Sequence, residues 1–198
     1  MVDRQLRSRG IDDERVLAAM GSVPRERFVA DGDRMRAYDD GTLPIALGQS
    51  ISQPWIVASM AALLELEGPE LVLEVGTGSG YGAAILSRLC SHVVTIERHP
   101  RLARTAQETL TGLGIRNVEI RTGDGSLGVP DRAPFDAISV TAAAEAGAPA
   151  ALLEQLARGA PLVCPIERRR HERLVVVRDG VERTIIPVQF VPLVEGGT

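Results

Sequence analysis

The sequence predicts an α/β protein: a doubly wound, mostly parallel sheet closed by a carboxy-terminal antiparallel hairpin and covered by an amino-terminal helical cap. Three observations predict it. From residue 71 onward short apolar runs alternate with helix-like stretches, the rhythm of parallel strands joined by crossover helices. The first run passes straight into glycines at alternate positions, Gly76, Gly78 and Gly80. Residues 1–70 have helical periodicity without that alternation.

Within the cap, residues 12–20 read as a helix, Pro24-Arg25-Glu26-Arg27-Phe28 as a short turn, and residues 53–66 as a longer helix carrying Ile56, Met60, Leu63 and Leu64. Between them, residues 43–54 have little periodicity but many hydroxyl and amide groups, and read as a loop. Ligands of open α/β sheets gather outside the carboxyl ends of the strands, so a cap packed over that edge brings this loop beside the glycines and makes it the candidate substrate loop. In the core, strands are predicted at 71–75, 93–96, 118–120, 137–140 and 162–165, with helices at 83–90, 101–113 and 149–158. Residues 174–178, the Asp179-Gly180 turn and residues 184–190 leave no room for a crossover helix and predict the hairpin. The 198 residues are expected to form one domain, with 1–70 as cap and 71–198 as cofactor-binding core.

A composition of 44% hydrophobic and 24% charged residues is that of a globular domain. No apolar run approaches the roughly 20 residues that cross a bilayer, and Met1-Val2-Asp3-Arg4-Gln5 lacks the pattern of a secretion signal, so no membrane partner and a cytoplasmic location are expected. A formal net charge of −4 gives no general attraction to nucleic acid. Arg168, Arg169, Arg170, His171 and Arg173 form a basic cluster with two readings, a contact for an acidic partner or, in preference, a solvated loop or hairpin end. Cys90 and Cys164 read as buried thiols. His92, His99 and His171 lack the short spacing of metal ligands, so no metal is expected. With one Trp, two Tyr and three Phe there is no evident sticky patch, and a monomer is expected. Trp55 either lines a peptide groove or packs into the cap.

The glycine turn is the candidate cofactor site. Its spacing departs from the dinucleotide fingerprint, in which the third glycine follows the second after two intervening residues. Glu74, just before the turn, would repel a pyrophosphate but suits an ammonium or a sulfonium, which favours S-adenosylmethionine over a nicotinamide dinucleotide. Glu97 ends the next apolar run about twenty residues on, where a carboxylate binds ribose hydroxyls. Expected cofactor contacts are Glu74, Gly76, Thr77, Gly78, Ser79 and Gly80, with Glu97 and the adjoining Arg98.

Residues 43–54, 73–81, 123–125, 133–143 and 190–194 resemble, in order and spacing, the protein-L-isoaspartate O-methyltransferase family, and the resemblance covers nearly the whole chain. Its most specific parts are Gly48-Gln49-Ser50-Ile51-Ser52-Gln53-Pro54, Ala133-Pro134-Phe135-Asp136-Ala137-Ile138 and Phe190-Val191-Pro192-Leu193. The resemblance implies a Rossmann-like class I methyltransferase sheet. It also implies methylation of the α-carboxylate of L-isoaspartyl residues, with isoaspartyl proteins and peptides as partners. The ester recloses to a succinimide, whose opening returns some normal aspartate. By the same resemblance Ser52 is the active-site residue, Gln49 and Thr141 stand near the reacting groups, Asp124 and Gly125 lie against the adenine, and Thr141 also borders the cofactor. Ser52 has a competing reading as the cap of the following helix, and Asp124 as part of a tight turn. Ile56, Ala160 and Glu167 depart from the family pattern. Two rival readings are a methyltransferase for one aspartate in a dedicated ribosomal peptide and a cofactor-binding protein without turnover. The chain's end soon after Leu193 favours the general reaction.

Overall fold

The structure, a computed structural model, describes residues 1–196. Its sheet strands are β3 (Leu71–Val75), β4 (His92–Glu97), β5 (Val118–Thr122), β6 (Ala137–Val140), β7 (Ala144–Glu145), β8 (Leu162–Arg168), β9 (His171–Arg178) and β10 (Val181–Pro187). They run in the order β10-β9-β8-β6-β3-β4-β5, with β7 paired to the far end of β8. Strands β8, β6, β3, β4 and β5 are parallel, whereas β9 and β10 are antiparallel to their neighbours. The chain lays down β3, β4 and β5 to one side and then returns to place β6 on the other side of β3. That reversal opens a crevice at the carboxyl ends of β3 and β6, the place where such sheets bind ligands.

The helices are α1 (Glu14–Ser22), α2 (Pro54–Leu63), α3 (Tyr81–Leu86), α4 (Pro100–Gly112) and α5 (Ala150–Leu153). Successive side chains of a strand point to opposite faces, so β3 sends Val72 into one core and Leu73 and Val75 into the other. The first core also holds Val16 and Met20 of α1 and Ala58 and Met60 of α2, so the cap shares its interior with the sheet. α1 begins where Asp13 Oδ1 accepts from the Arg15 and Val16 amides at 2.8 and 3.2 Å. Trp55 packs within the cap: the Arg9 guanidinium lies 4.4 Å from its ring centroid.

Four expectations need correction. The predicted substrate loop contains a miniature antiparallel ladder, β1 (Leu43–Pro44) with β2 (Ser50–Ile51), too short to show periodicity. Helix α5 is four residues long where ten were expected, because backbone at 155–157 pairs with Phe135 instead: Phe135 N donates to Gln155 O and Ala157 N to Phe135 O. Strand β8 continues through Arg168, making the hairpin a three-stranded meander. Its first turn, Arg169-Arg170, has positive φ at both residues (51° and 66°), a geometry that usually advertises itself by Asn or Gly. Strand β10 ends at Pro187, short of residue 190, and the Phe190 amide turns to Glu172 Oε2 at 2.6 Å. The basic cluster sits at this β8–β9 turn, with Arg168 paired to Glu182 at 2.6 Å.

Candidate active site

The glycine turn leaves β3 with φ of 97°, 53° and 87° at Gly76, Gly78 and Gly80. Gly76 is required twice over: its φ is left-handed, and a Cβ there would collide with the Thr141 hydroxyl from the end of β6. Thr141 Oγ1 lies 2.9 Å from Val75 O and 2.8 Å from Gly76 O. Its single proton is therefore committed to the carbonyls of the turn, which it clamps in place.

Glu97 is 5% exposed, and both of its oxygens hold backbone. Oε2 accepts from the Gly78 amide at 2.9 Å and Oε1 from the His99 amide at 3.0 Å. Beneath the turn Thr77 Oγ1 lies 2.7 Å from Thr95 Oγ1, which donates to Glu74 Oε2 at 2.7 Å. Thr77 thus points into the core. Burial pushes the Glu74 carboxyl up to about 8, against the Thr95 hydrogen bond and with the help of the Glu97 charge. The expectation that a charged Glu74 selects a cationic ligand does not follow from this geometry, since a buried acid with that pKa is mostly neutral near pH 7. Ser79 Oγ accepts from the Tyr81 amide at 3.3 Å at the start of α3.

Asp124 has the features of the tight-turn reading and more. Its Oδ1 accepts from the Ser126 amide and hydroxyl at 2.9 and 2.7 Å, while Oδ2 accepts from the Gly196 amide at 2.7 Å. Burial raises its pKa, but the Ser126 and Gly196 hydrogen bonds and the Arg98 charge outweigh that and hold it below the ordinary value. Arg98 Nη1 donates to Val194 O at 2.9 Å. The carboxy-terminal tail is thereby laid across the crevice, further fixed where the Ala143 amide meets Val191 O and the Leu193 amide meets Ala143 O.

Ser52 is half-buried, and among the described residues its hydroxyl has no hydrogen-bond partner. The capping alternative fails: α2 starts at Pro54, Gln53 is its N-cap, and no side chain caps it. Gln53 instead donates to Asp40 Oδ1 at 2.7 Å. The turn before Ser52 is held by Ile45 N on Gln49 O at 2.8 Å, with Leu47 in a left-handed conformation at φ 61°.

These parts meet at one cavity of about 410 Å³. Of the predicted residues, Gln49, Ser52, Glu74, Gly76, Thr77, Gly78, Ser79, Glu97, Arg98, Gly125 and Thr141 line it. Gly80 and Asp124 do not: Gly80 is the N-cap of α3, and Asp124 is the N-cap of the 3-10 turn that starts at Gly125. Sequence reasoning missed Val57, Gly82, Ile96 and His99 as lining residues, whereas Tyr81 and residues 191–194 were singled out only as part of family-resembling segments. None of Ile56, Ala160 and Glu167 lines the cavity. Among the described residues no cluster of His, Cys, Asp and Glu could hold a metal, and no helix is long and apolar enough to cross a membrane. Cys90 and Cys164 are free, buried thiols whose pKa burial pushes up to about 12.

Comparison with known proteins assigns the family. The family model for protein-L-isoaspartate(D-aspartate) O-methyltransferase matches residues 1–198. Protein-L-isoaspartate O-methyltransferase 2 of Anaeromyxobacter sp. (strain Fw109-5) is 52% identical over 202 residues, covering 100% of this chain and 83% of its own. A solved protein-L-isoaspartate O-methyltransferase superposes with a TM-score of 0.87 at 28% identity, over 100% of this chain and 66% of its own. A Plasmodium falciparum chain described as a protein-L-isoaspartate O-methyltransferase, solved in complex with S-adenosyl-L-homocysteine, superposes with a TM-score of 0.85 at 26% identity, over 98% of this chain and 97% of its own. A full-length family match, a relative sharing half the residues and a site assembled on the expected loops agree: the chain belongs to the protein-L-isoaspartate(D-aspartate) O-methyltransferase family.

Proposed function

We propose that this protein uses S-adenosylmethionine to methylate the α-carboxylate of L-isoaspartyl residues in proteins and peptides, which starts their return to aspartate through a succinimide. The observation that carries this reading is the meeting of the Ser52 loop with the glycine turn at one cavity, although they are far apart in sequence.

The residues present fit the cofactor. The cavity's 410 Å³ is within the usual range for small-molecule sites of roughly 300–1,000 Å³. Its wall has the glycine turn, left-handed at Gly76 and Gly78 and presenting backbone without side chains there, and a buried carboxylate, Glu97, at the position suited to a ribose. Residues Gly76, Thr77, Gly78 and Ser79 would border the amino-acid end, Glu97 and Arg98 the ribose, and Gly125, backed by Asp124, the base. When bound, this cofactor supplies a methyl group activated by a sulfonium.

The rest is alignment. An acceptor carboxylate has a reference pKa near 4 and is ionised at neutral pH, so no general base is needed. The protein's task is to hold one acceptor oxygen in line with the methyl carbon and sulfur, and good positioning can supply on the order of 7–11 kcal/mol. The uncommitted Ser52 hydroxyl donates to the other oxygen and orients it without attacking. A neutral donor does this while draining little charge from the nucleophile. Gln49 borders the acceptor, and Thr141 acts through the turn it clamps. The formal charge of −4 disfavours a polyanionic acceptor. Two free thiols fit a reducing compartment such as the cytoplasm, and a monomer suffices because one chain supplies both loops.

The test is to incubate an isoaspartyl peptide with the protein and cofactor and follow the peptide by chromatography. Cofactor-dependent appearance of the normal aspartyl form supports the proposal. An isoaspartyl peptide that persists unmethylated over many enzyme equivalents contradicts it.

A further inference from the structure

Arg25 starts the short 3-10 turn Arg25–Phe28 in the cap and is completely buried. Its Nε donates to Ala37 O and its Nη2 to Ser52 O, each at 2.7 Å. The guanidinium lies 4.7 Å from the centroid of Tyr81, the first residue of α3 and part of the cavity wall. Among the described residues no carboxylate pairs with it, and its Nη1 has no partner. This is an expensive way to fill a core. A buried charge without a counter-charge costs stability, and apolar side chains of like volume often replace buried ions at no loss. What an apolar side chain could not do is fork to two carbonyls and present a flat cation to a ring.

We infer that Arg25 is a positioning residue for methyl transfer: by bonding the Ser52 carbonyl and stacking on Tyr81, it holds the substrate loop in register with the cofactor cavity. The inference rests on the function proposed above. It follows from the direction of each contact. The bond to Ser52 O fixes the peptide unit that carries the orienting hydroxyl, the bond to Ala37 O fixes the same group to the cap, and Tyr81 continues directly from the glycine turn through Gly80. Without the fork, the loop and the turn keep their own internal hydrogen bonds but lose their mutual reference. The acceptor oxygen is then misplaced while the cofactor contacts survive.

The test compares wild type, Arg25→Lys and Arg25→Met, with competent sites counted by calorimetric titration with S-adenosylhomocysteine. Rates per site are measured on an isoaspartyl peptide at saturating S-adenosylmethionine, and KM for S-adenosylmethionine at saturating peptide. The expected result is a roughly 10- to 100-fold fall in peptide kcat/KM per site in both variants. Lysine shares the fall because it restores charge but neither the fork nor the plane, whereas S-adenosylhomocysteine affinity and KM for S-adenosylmethionine should stay within about three-fold of wild type, because the turn keeps its own hydrogen bonds. A merely structural arginine predicts fewer competent sites of unchanged peptide kcat/KM, and that outcome overturns the inference. So does a parallel, equal loss of S-adenosylhomocysteine affinity. If Arg25→Met does not fold, Arg25→Lys decides by the same criteria. A wild type that binds S-adenosylhomocysteine but does not methylate the peptide sinks the proposed function itself, whereas an active wild type with an equally active Arg25→Lys sinks this inference alone.

Discussion

Glu97 Oε2 accepts the Gly78 amide at 2.9 Å, so a carboxylate at the tip of β4 holds the middle of the turn that leaves its neighbour β3. The same carboxylate reaches the His99 amide at 3.0 Å, at the entrance to α4. One buried carboxylate therefore shapes the turn and, on the function proposed above, would accept from a ribose.

Glu97→Gln keeps one carbonyl oxygen and removes the charge. Hydrogen bonds to charged groups are worth about 1.5–3 kcal/mol, so S-adenosylhomocysteine should bind roughly 10- to 100-fold more weakly, as measured by calorimetry. Unchanged affinity would confine Glu97 to a structural part.

Glu74 predicts a pH dependence of stability. Its carboxyl titrates at about 8 in the fold against an ordinary 4.5, because burial disfavours the charge. The folded state thus keeps a proton that the unfolded chain gives up. The stabilisation is fully present below about 4.5 and is lost as pH rises through about 8, with a slope of up to about 1.4 kcal/mol per pH unit inside that window. Urea unfolding of the cofactor-free protein from pH 5 to 9 should show this decline, and Glu74→Gln should flatten it. Parallel curves for the two proteins would mean that Glu74 is already ionised in the fold.

Ser52→Ala tests an unpaired hydroxyl. Since Ser52 does not cap α2, the melting temperature should hardly move, whereas loss of a hydrogen bond to an anionic acceptor should lower kcat/KM about 10- to 100-fold. Destabilisation near the 1 kcal/mol of a lost cap, with full activity per folded molecule, would reverse the assignment.

How much of this was readable depended on what each feature needs from its residues. Strands β3, β4 and β6 are buried on both faces, so they appear as short apolar runs, and the turn after β3 needs glycine for conformation and space. Both were legible. The lining contributed by residues 191–194 was visible only as a motif, because a tail held by backbone groups of Ala143 and by Arg98 leaves no periodic trace. The Arg169-Arg170 turn was hidden by atypical residues in left-handed conformations. Helix α5 was overpredicted because its competing partner, the backbone of Phe135, is about twenty residues away. Arg25 gave no signal at all. A basic residue in a polar turn reads as solvated, and only the packing of Ala37, Ser52 and Tyr81 around it makes it interior.

The most direct measurement is transfer of label from methyl-labelled S-adenosylmethionine to two peptides identical except that one carries L-isoaspartate and the other L-aspartate. The account predicts base-labile label on the isoaspartyl peptide alone, as a methyl ester of its α-carboxylate. Label on neither peptide by a protein that binds the cofactor, or equal label on both, would contradict it.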